Sequence, residues 1–398
     1  MENYINKNSI ETKIYAETLE DEARRQIHEL ADCNAYSDSK IRIMPDAHAG
    51  KGCVVGTTIK LTDKVCPNTV GVDLNCGMLV YSLNKCPDFE KLDKFIRKHI
   101  PNGRNVHDAK DAIFFDLSEL KCFEGIGPNK IDWAERSLGT LGGGNHFIEL
   151  DKDDVGNIYL VIHCGSRNLG LQVCNYYQNL AIKKLESNEK SVKETIKRLK
   201  KEHRDSEIQS TIRKIGHKTV SNKDLAYIEG EDLENYLHDI KIVAQFAHMN
   251  RQKIAEDIAN SMGLELKFVC ETLHNYIDTD TNTLRKGAVR ANSGELLIIP
   301  MNMRDGSLIC RGLGNADWNY SAPHGAGRLM SRKKAKETLV LSDYKKEMKN
   351  VVSWSVSEKT IDEAPDAYKS SEEIKRLITP TVEIMKTIHS IYNFKAEE

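Results

Sequence analysis

The 398-residue sequence predicts an α+β fold, a β-rich core carrying a glycine-rich site, with a helical excursion over about 171–262. Three observations predict it. Short runs rich in β-branched and aromatic residues recur through the chain. One long central stretch carries helical spacing instead. Glycines cluster near 50–77, 139–144, 165–170, 287–314 and 325–327, with histidines beside several clusters, as expected where distant loops gather into one composite site.

Taken in order, residues 13–32 have the apolar spacing of a helix. Residues 79–84, 158–163 and 296–300 read as strands. Within the excursion, 183–218 carries twelve Lys/Arg against six Asp/Glu, either a solvated helix face or a surface for a phosphate backbone. Residues 331–345 and 370–392 read as helices, with a loop at Pro365 between them. No repeat, low-complexity segment or Pro/Gly/Ser-rich linker divides the chain, so one intertwined domain over 1–398 is expected.

Composition sets bounds on function. Lys and Arg number 57 and Asp and Glu 59, a formal charge of -2, which excludes a histone-like basic coat but not a local basic groove. No run approaches the ~18 apolar residues of a membrane helix, and the polar start MENYINKNSIETKIYAE lacks a signal-peptide core. Ten cysteines without a CxxC pair suit a reducing compartment better than a disulfide framework, so a cytoplasmic location is expected.

Five segments can carry chemistry. In Val70–Met78, Asp73 and Cys76 are spaced so that a turn would converge a carboxylate and a thiolate on one cation; a capped turn beside a buried cysteine is the plainer alternative. In Gly139–Glu149, three consecutive glycines precede Asn145 and His146 and can form an anion-binding nest. A strand delivers His163 to its end, where Arg167 either clamps a phosphate or is a surface residue. His274 beside Asn275 reads as structural when taken alone. His324 precedes Gly325, Ala326 and Gly327 at a loop or helix start, where an imidazole can be ligand, base or nucleophile. Near the N-terminus, Asp46 and His48 can orient a ligand or a reacting proton, and Lys51 can meet a phosphate.

Asp73, Cys76, His146, His163 and His274 together make a carboxylate, thiolate and imidazole ligand set. Cys and His ligands suit zinc, while the carboxylate and the surplus of donors also admit manganese or iron. Five candidates exceed the four of a closed structural zinc site and point to an open or two-metal catalytic site.

The segments MPDAHAGKG, VGVDLNCGM, GTLGGGNHFIE, HCGSRNLG, HNY, RKGAVRA, RGLGN, HGAGRLMSR and DEAPDAYK, in this order, resemble the RtcB family of RNA-splicing ligases from about residue 40 onward. The resemblance implies an RtcB-like fold and a ligase joining RNA 3′-phosphate or 2′,3′-cyclic phosphate ends to 5′-hydroxyl ends. It implies GTP and Mn²⁺, with two ions, as cofactors. His324 would be the nucleophile that takes GMP, and Asp73, Cys76, His146, His163 and His274 the metal ligands. The guanylate-binding positions would be Asn145, His146, Phe147, Ile148, Glu149, His274, Asn275, Pro300, Met301, Asn302, Met303, Ser307, His324, Gly325, Ala326 and Gly327. Lys395 would bind the guanine from the family's last helix and tail. The partner implied is RNA bearing those ends, in transfer-RNA splicing or RNA repair; an activating protein partner is compatible with it, and a monomer is expected. The sequence departs from the family pattern at Pro300-Met301-Asn302-Met303, at HCGSR, and in the Ala396-Glu397-Glu398 tail. Two other classes fit part of the pattern: a metal-dependent phosphoesterase of nucleotide ends, and an RNA-binding or metal-storage protein without turnover.

Overall fold

The computed structural model describes residues 2–215 and 222–396, so 216–218 of the basic run and Glu397 and Glu398 of the tail lie outside the described residues. Two β-sheets carry the α+β architecture. The larger has seven strands in the spatial order Leu266–Leu273, Gly77–Leu83, Ile158–Cys164, Phe147–Lys152, Val382–Lys395, Gly306–Gly312 and Leu296–Asn302, with every neighbouring pair antiparallel. The sheet curls until its two edge strands meet.

Alternation along the strands sorts the two faces. Ile148, Leu150, Leu160 and Ile162 point outward and pack with Leu92 and Ile96 of the helix Phe89–His99 and with Ile254 and Ile258 of the helix Glu231–Met262. Phe147, Tyr159 and Val161 point into the curl, where they meet Ile298, Ile309 and Ile388. The six-stranded sheet runs Glu2–Ile5, Glu11–Ile14, Ile41–His48, Val55–Lys60, Thr283–Lys286, Asn275–Asp278. It shares a core with the helices Asp21–Ala31, Arg167–Lys201 and Glu231–Met262.

The expected strands form at Gly77–Leu83, Ile158–Cys164 and Leu296–Asn302, and the excursion is helical as Arg167–Lys201, Ile208–Ile215 and Glu231–Met262. Two expected helices are corrected. Residues 11–14 form a strand, and the first helix starts only at Asp21, because Lys13 and Ile14 pair with Arg42 and Ile43 of a buried parallel strand. The helix read over 370–392 ends at Leu377, and Val382–Lys395 is a strand between two sheet partners. Its β-branched residues suit a strand paired along both edges, and that pairing overrides the helical spacing. Among the described residues, no helix is long and apolar enough to cross a membrane.

Candidate functional site

The site forms where loops at the ends of both sheets converge. After the short turn Pro67–Thr69, Asn75 takes a left-handed conformation, φ 57°, and the Cys76 N–H donates to the Asp73 carbonyl at 3.2 Å. This turn points the Asp73 carboxylate and the Cys76 thiol the same way. Gly165 closes against it, since a Cβ there would stand 2.3 Å from Asp73 Oδ1. His146 immediately precedes the strand Phe147–Lys152 and His163 lies near the end of the adjacent strand Ile158–Cys164, with Phe147 opposite His163. His274 follows the edge strand, and its N–H donates to the Cys76 carbonyl at 2.9 Å.

The donor atoms face one another. Cys76 Sγ lies 3.4 Å from His146 Nε2 and 3.3 Å from His163 Nε2. His146 Nε2 is 2.9 Å from Asp73 Oδ2, and His163 Nε2 is 3.4 Å from His274 Nε2. The Nδ1 atoms of His146 and His163 each sit 3.0 Å from a backbone carbonyl, of Leu141 and Asn145, which places an Nδ1 proton on each ring and turns both Nε2 atoms inward. Cation–nitrogen bonds of ~2.0 Å and a cation–sulfur bond of ~2.3 Å set tetrahedral donors about 3.5 Å apart. The spacing observed matches that edge, and Cys76, His146 and His163 form a buried group able to hold a metal ion. Asp73 Oδ1 is buried without a hydrogen-bond partner among the described residues, a further oxygen that could meet a cation.

Burial pushes the Cys76 thiol up to about 12 and holds His163 and His274 well below the usual imidazole range. Burial works against the Asp73 carboxylate too, but the His146 hydrogen bond and charge overcome it and keep the carboxyl low. The group thus offers two neutral imidazoles and an anionic oxygen, and cation binding would displace the thiol proton.

Beside this group opens a cleft of about 700 Å³. His324 stands at the junction, its ring centroid 4.9 Å from that of His274. It lies in a loop after the strand Ser321–Pro323, with the next helix starting at Arg332. Asp46, wholly buried in the strand Ile41–His48, accepts from His324 Nδ1 at 2.6 Å and from its backbone N–H at 3.1 Å. That carboxylate fixes the proton on Nδ1 and leaves Nε2 with the lone pair. Gly327, φ 76°, must be glycine, since a Cβ there would lie 2.1 Å from the Asp46 carbonyl oxygen. His48 lines the cleft, its Nδ1 lies 3.0 Å from the Asp46 carbonyl, and burial lowers it to about 4.

The far end of the cleft is charged and buried. Lys395 closes its strand and pairs with Glu363, and its ammonium also reaches the Asn145 carbonyl at 3.4 Å. Glu363 further accepts from Arg332 at 2.8 Å, Arg328 at 3.2 Å and the Tyr368 hydroxyl at 2.6 Å. Asn145, Phe147, Glu149, Asn393 and the Pro300–Met303 segment line the walls, as do Gly325, Ala326 and Gly327.

Other expected positions lie farther off. Ile148 is in the outer core behind the sheet. Asn275 braces the cation turn, donating to the Asp73 carbonyl at 3.2 Å and accepting from the Gly287 N–H at 3.0 Å. Ser307 is buried, with no partner for its hydroxyl among the described residues. Arg167, read as a phosphate clamp or surface residue, is instead bound to the Thr140 hydroxyl and the Gly103 carbonyl, each at 3.0 Å. Lys51 is exposed.

Sequence reasoning gave no role to Glu363, Arg328, Arg332, Tyr368 and Asn393. The first four sit in or next to HGAGRLMSR and DEAPDAYK, where closely spaced opposite charges were the available signal. It also missed Asn250 and Arg251, which brace the loops from the long helix. Asn250 bonds the backbone of Gly139, Thr140 and Gly165, and Arg251 donates to the carbonyls of Asn75 and Cys164.

The sequence matches known proteins along most of its length. The family model described as tRNA-splicing ligase RtcB matches residues 26–122 and 124–396. The chain belongs to the RtcB family. It is 30% identical over 420 residues to the RNA-splicing ligase RtcB of Escherichia coli K12, covering 94% of each chain. It is 29% identical to the RNA-splicing ligase RtcB1 of another Escherichia coli strain, again over 94% of each. It is 25% identical to the tRNA-splicing ligase RtcB of Aeropyrum pernix over 84% of this chain and 83% of that one. The match spans both the cation group and the His324 loop.

Proposed function

We propose that this RtcB-family chain is an RNA ligase that joins a 3′-phosphate or 2′,3′-cyclic phosphate end to a 5′-hydroxyl end, with GTP and Mn²⁺ as cofactors and a histidine–GMP intermediate. Family membership supports the enzyme class. The observation that carries the chemistry is His324, held by Asp46 at 2.6 Å with Nε2 left free, between a cation-binding group and a cleft with a cationic end.

In the proposed reaction His324 Nε2 attacks the α-phosphorus of GTP. A P–N bond forms, the P–O bond to the leaving pyrophosphate breaks, and Asp46 stabilises the charge that develops on the imidazole. The GMP group then passes to the RNA 3′-phosphate and frees the histidine. The 5′-hydroxyl oxygen attacks that activated phosphate, loses its proton and displaces GMP, sealing the strand. A cyclic phosphate end is first opened by hydrolysis. A cation held by Asp73, Cys76, His146, His163 and His274 would neutralise phosphate charge at the reacting centre.

Along the cleft, Glu149 suits the N–H donors of a guanine base and Lys395 its carbonyl oxygen. Both are buried, and Lys395 stands over the Phe147 ring at 5.6 Å. Adenine offers an amino group where guanine offers the carbonyl, which would set a donor against the ammonium. That the site draws residues from Asp46 to Lys395 supports treating 1–398 as one ligase domain.

The deciding experiment incubates the protein with Mn²⁺ and GTP labelled at the α-phosphate, then with RNA bearing 3′-phosphate and 5′-hydroxyl ends. The expected result is a covalent GMP adduct that RNA discharges to give joined product. His324→Ala should abolish adduct and joining while metal content stays near that of the unsubstituted protein. A persisting adduct in that variant moves the nucleophile elsewhere, and hydrolysis of RNA ends without any adduct makes the chain a phosphoesterase.

A further inference from the structure

Glu149 has a second carboxyl group directly beside it. Asp151 lies two residues along the same strand, so both side chains point into the curl, and both residues are almost fully buried, at 3% and 0% exposure. Glu149 accepts from the Asn393 amide of the opposing strand. Asp151 has no such donor: no N–H or hydroxyl among the described residues donates to either of its oxygens.

Candidate cations around Asp151 have partners elsewhere. Lys395 pairs with Glu363, Lys386 lies 3.1 Å from both Asp153 and the Tyr159 hydroxyl, and His389 faces Asp154 at 3.7 Å. Tyr159, which stands opposite Asp151 on the neighbouring strand, donates its hydroxyl to Asp153 at 2.9 Å. Opposite Asp151 on the strand Val382–Lys395 stands the buried Ser390, a neutral hydroxyl that has no hydrogen-bond partner among the described residues and brings no charge; Val161, Ile298, Ile309 and Ile388 lie on the same inner face, together with Cys270, whose thiol burial keeps protonated.

Two buried carboxylates side by side with no cation for the second cannot both be ionised. Burial and the Glu149 charge hold Asp151 well above the usual carboxylate range. Glu149 is raised by burial, but hydrogen bonding with Asp151 and Asn393, the nearby Ser390 hydroxyl and the Lys395 charge work the other way, so the proton belongs on Asp151. The pair then carries one negative charge, on the residue that lines the cleft.

We propose that Asp151 stays protonated and donates a hydrogen bond to Glu149, acting as the positioning residue that keeps Glu149 ionised and aimed at the N–H donors of a guanine base. This rests on the reading of Glu149 as the guanine contact. Asp151 touches neither nucleotide nor cation and works only through Glu149. The proposal makes one buried proton part of nucleotide selection.

The test compares the unsubstituted protein with Asp151→Asn, which keeps a neutral donor, and Asp151→Leu, which removes it. The GTP concentration for half-maximal labelling of His324 should rise about tenfold in Asp151→Leu, the size expected for loss of one hydrogen bond to a charged group. The maximal rate should change little, and Asp151→Asn should stay within about twofold of the unsubstituted protein. Equal defects in the two variants, or none in Asp151→Leu, overturn the proposal. Difference infrared spectra, unsubstituted minus Asp151→Asn, should show a protonated carboxyl band at neutral pH without nucleotide; its absence overturns the proposal even if Asp151→Leu fails to fold. Glu149→Gln separates the two readings. If it leaves GTP dependence unchanged while the band is present, Glu149 is not the guanine contact, and the role given to Asp151 in selection falls with it.

Discussion

The Nδ1 edge of His324 rests on a carboxylate 278 residues away in sequence, and that single contact sets which nitrogen is nucleophilic. Asp46→Asn keeps the shape but can present an N–H to the ring, favouring the wrong tautomer. GMP-adduct formation should fall on the order of 10²–10⁴-fold with metal content unchanged, measured by single-turnover labelling. Glu363 gives a second prediction at this scale. Burial would push its carboxyl up, but Lys395, Arg332 and Arg328 outweigh burial and hold it down at about 2 against an ordinary 4.5. A carboxyl with a lowered folded-state value stabilises the protein above its unfolded value and loses that contribution as pH falls through the folded one. Acid unfolding should therefore steepen between about pH 4.5 and 2. Glu363→Gln should remove that part of the acid limb and cost about 3–5 kcal/mol near neutral pH, because three buried or half-buried cations lose their shared anion. Denaturant titrations across pH read both effects. Of these residues, His324 stood out in the sequence as a candidate because Gly325 and Gly327 follow it, whereas His274, beside Asn275, read as structural when taken alone. Glu363 did not stand out, since an acidic residue before a proline looks like any loop.

Strands and loops do the positioning, and the long helix Glu231–Met262 holds the loops in place. Asn250, wholly buried on that helix, accepts from the Gly139 N–H at 2.7 Å and the Thr140 N–H at 3.0 Å, and donates to the Thr140 and Gly165 carbonyls at 3.1 Å each. It therefore ties together the loops that lead to His146 and follow His163. Asn250→Leu strands several buried backbone groups and should cost about 3 kcal/mol or more, counted as one to three unsatisfied groups at ~1–3 kcal/mol each. Thermal melts should show it, and amide hydrogen exchange should speed up at 139–146 and 164–166. At this scale the sequence was legible where one periodicity dominated, as in Ile158–Cys164 and the excursion helices. It misled at the C-terminal strand, where apolar residues fit both helical and strand spacing. Partners on both sides, at 147–152 and 306–312, decided that case.

Across the whole molecule, the cation group joins segments more than 200 residues apart, from Asp73 to His274. Binding a divalent ion should therefore stabilise global folding by about RT ln(1 + [L]/Kd), ~2.7 kcal/mol at a hundredfold excess over Kd. Adding Mn²⁺ to metal-stripped protein should raise Tm by a few degrees, and a chelator should reverse the shift. Cys76→Ser should remove most of it, and Zn²⁺ should bind at least as tightly as Mn²⁺ because divalent affinity at nitrogen and sulfur donors rises along that order. No shift with either ion would end the metal assignment. The sequence by itself determined the α+β class, the family, the nucleophile candidate and the donor types, because those follow from residue chemistry and from motif order along the chain. Only the tertiary structure decided that Asp46 serves His324, that Glu363 gathers Lys395 and two arginines, and that Asp151 lies buried beside Glu149 without a cation. Those are relations between strands and loops far apart in sequence, set by sheet register and by the curl of the larger sheet, which no local pattern of residues encodes.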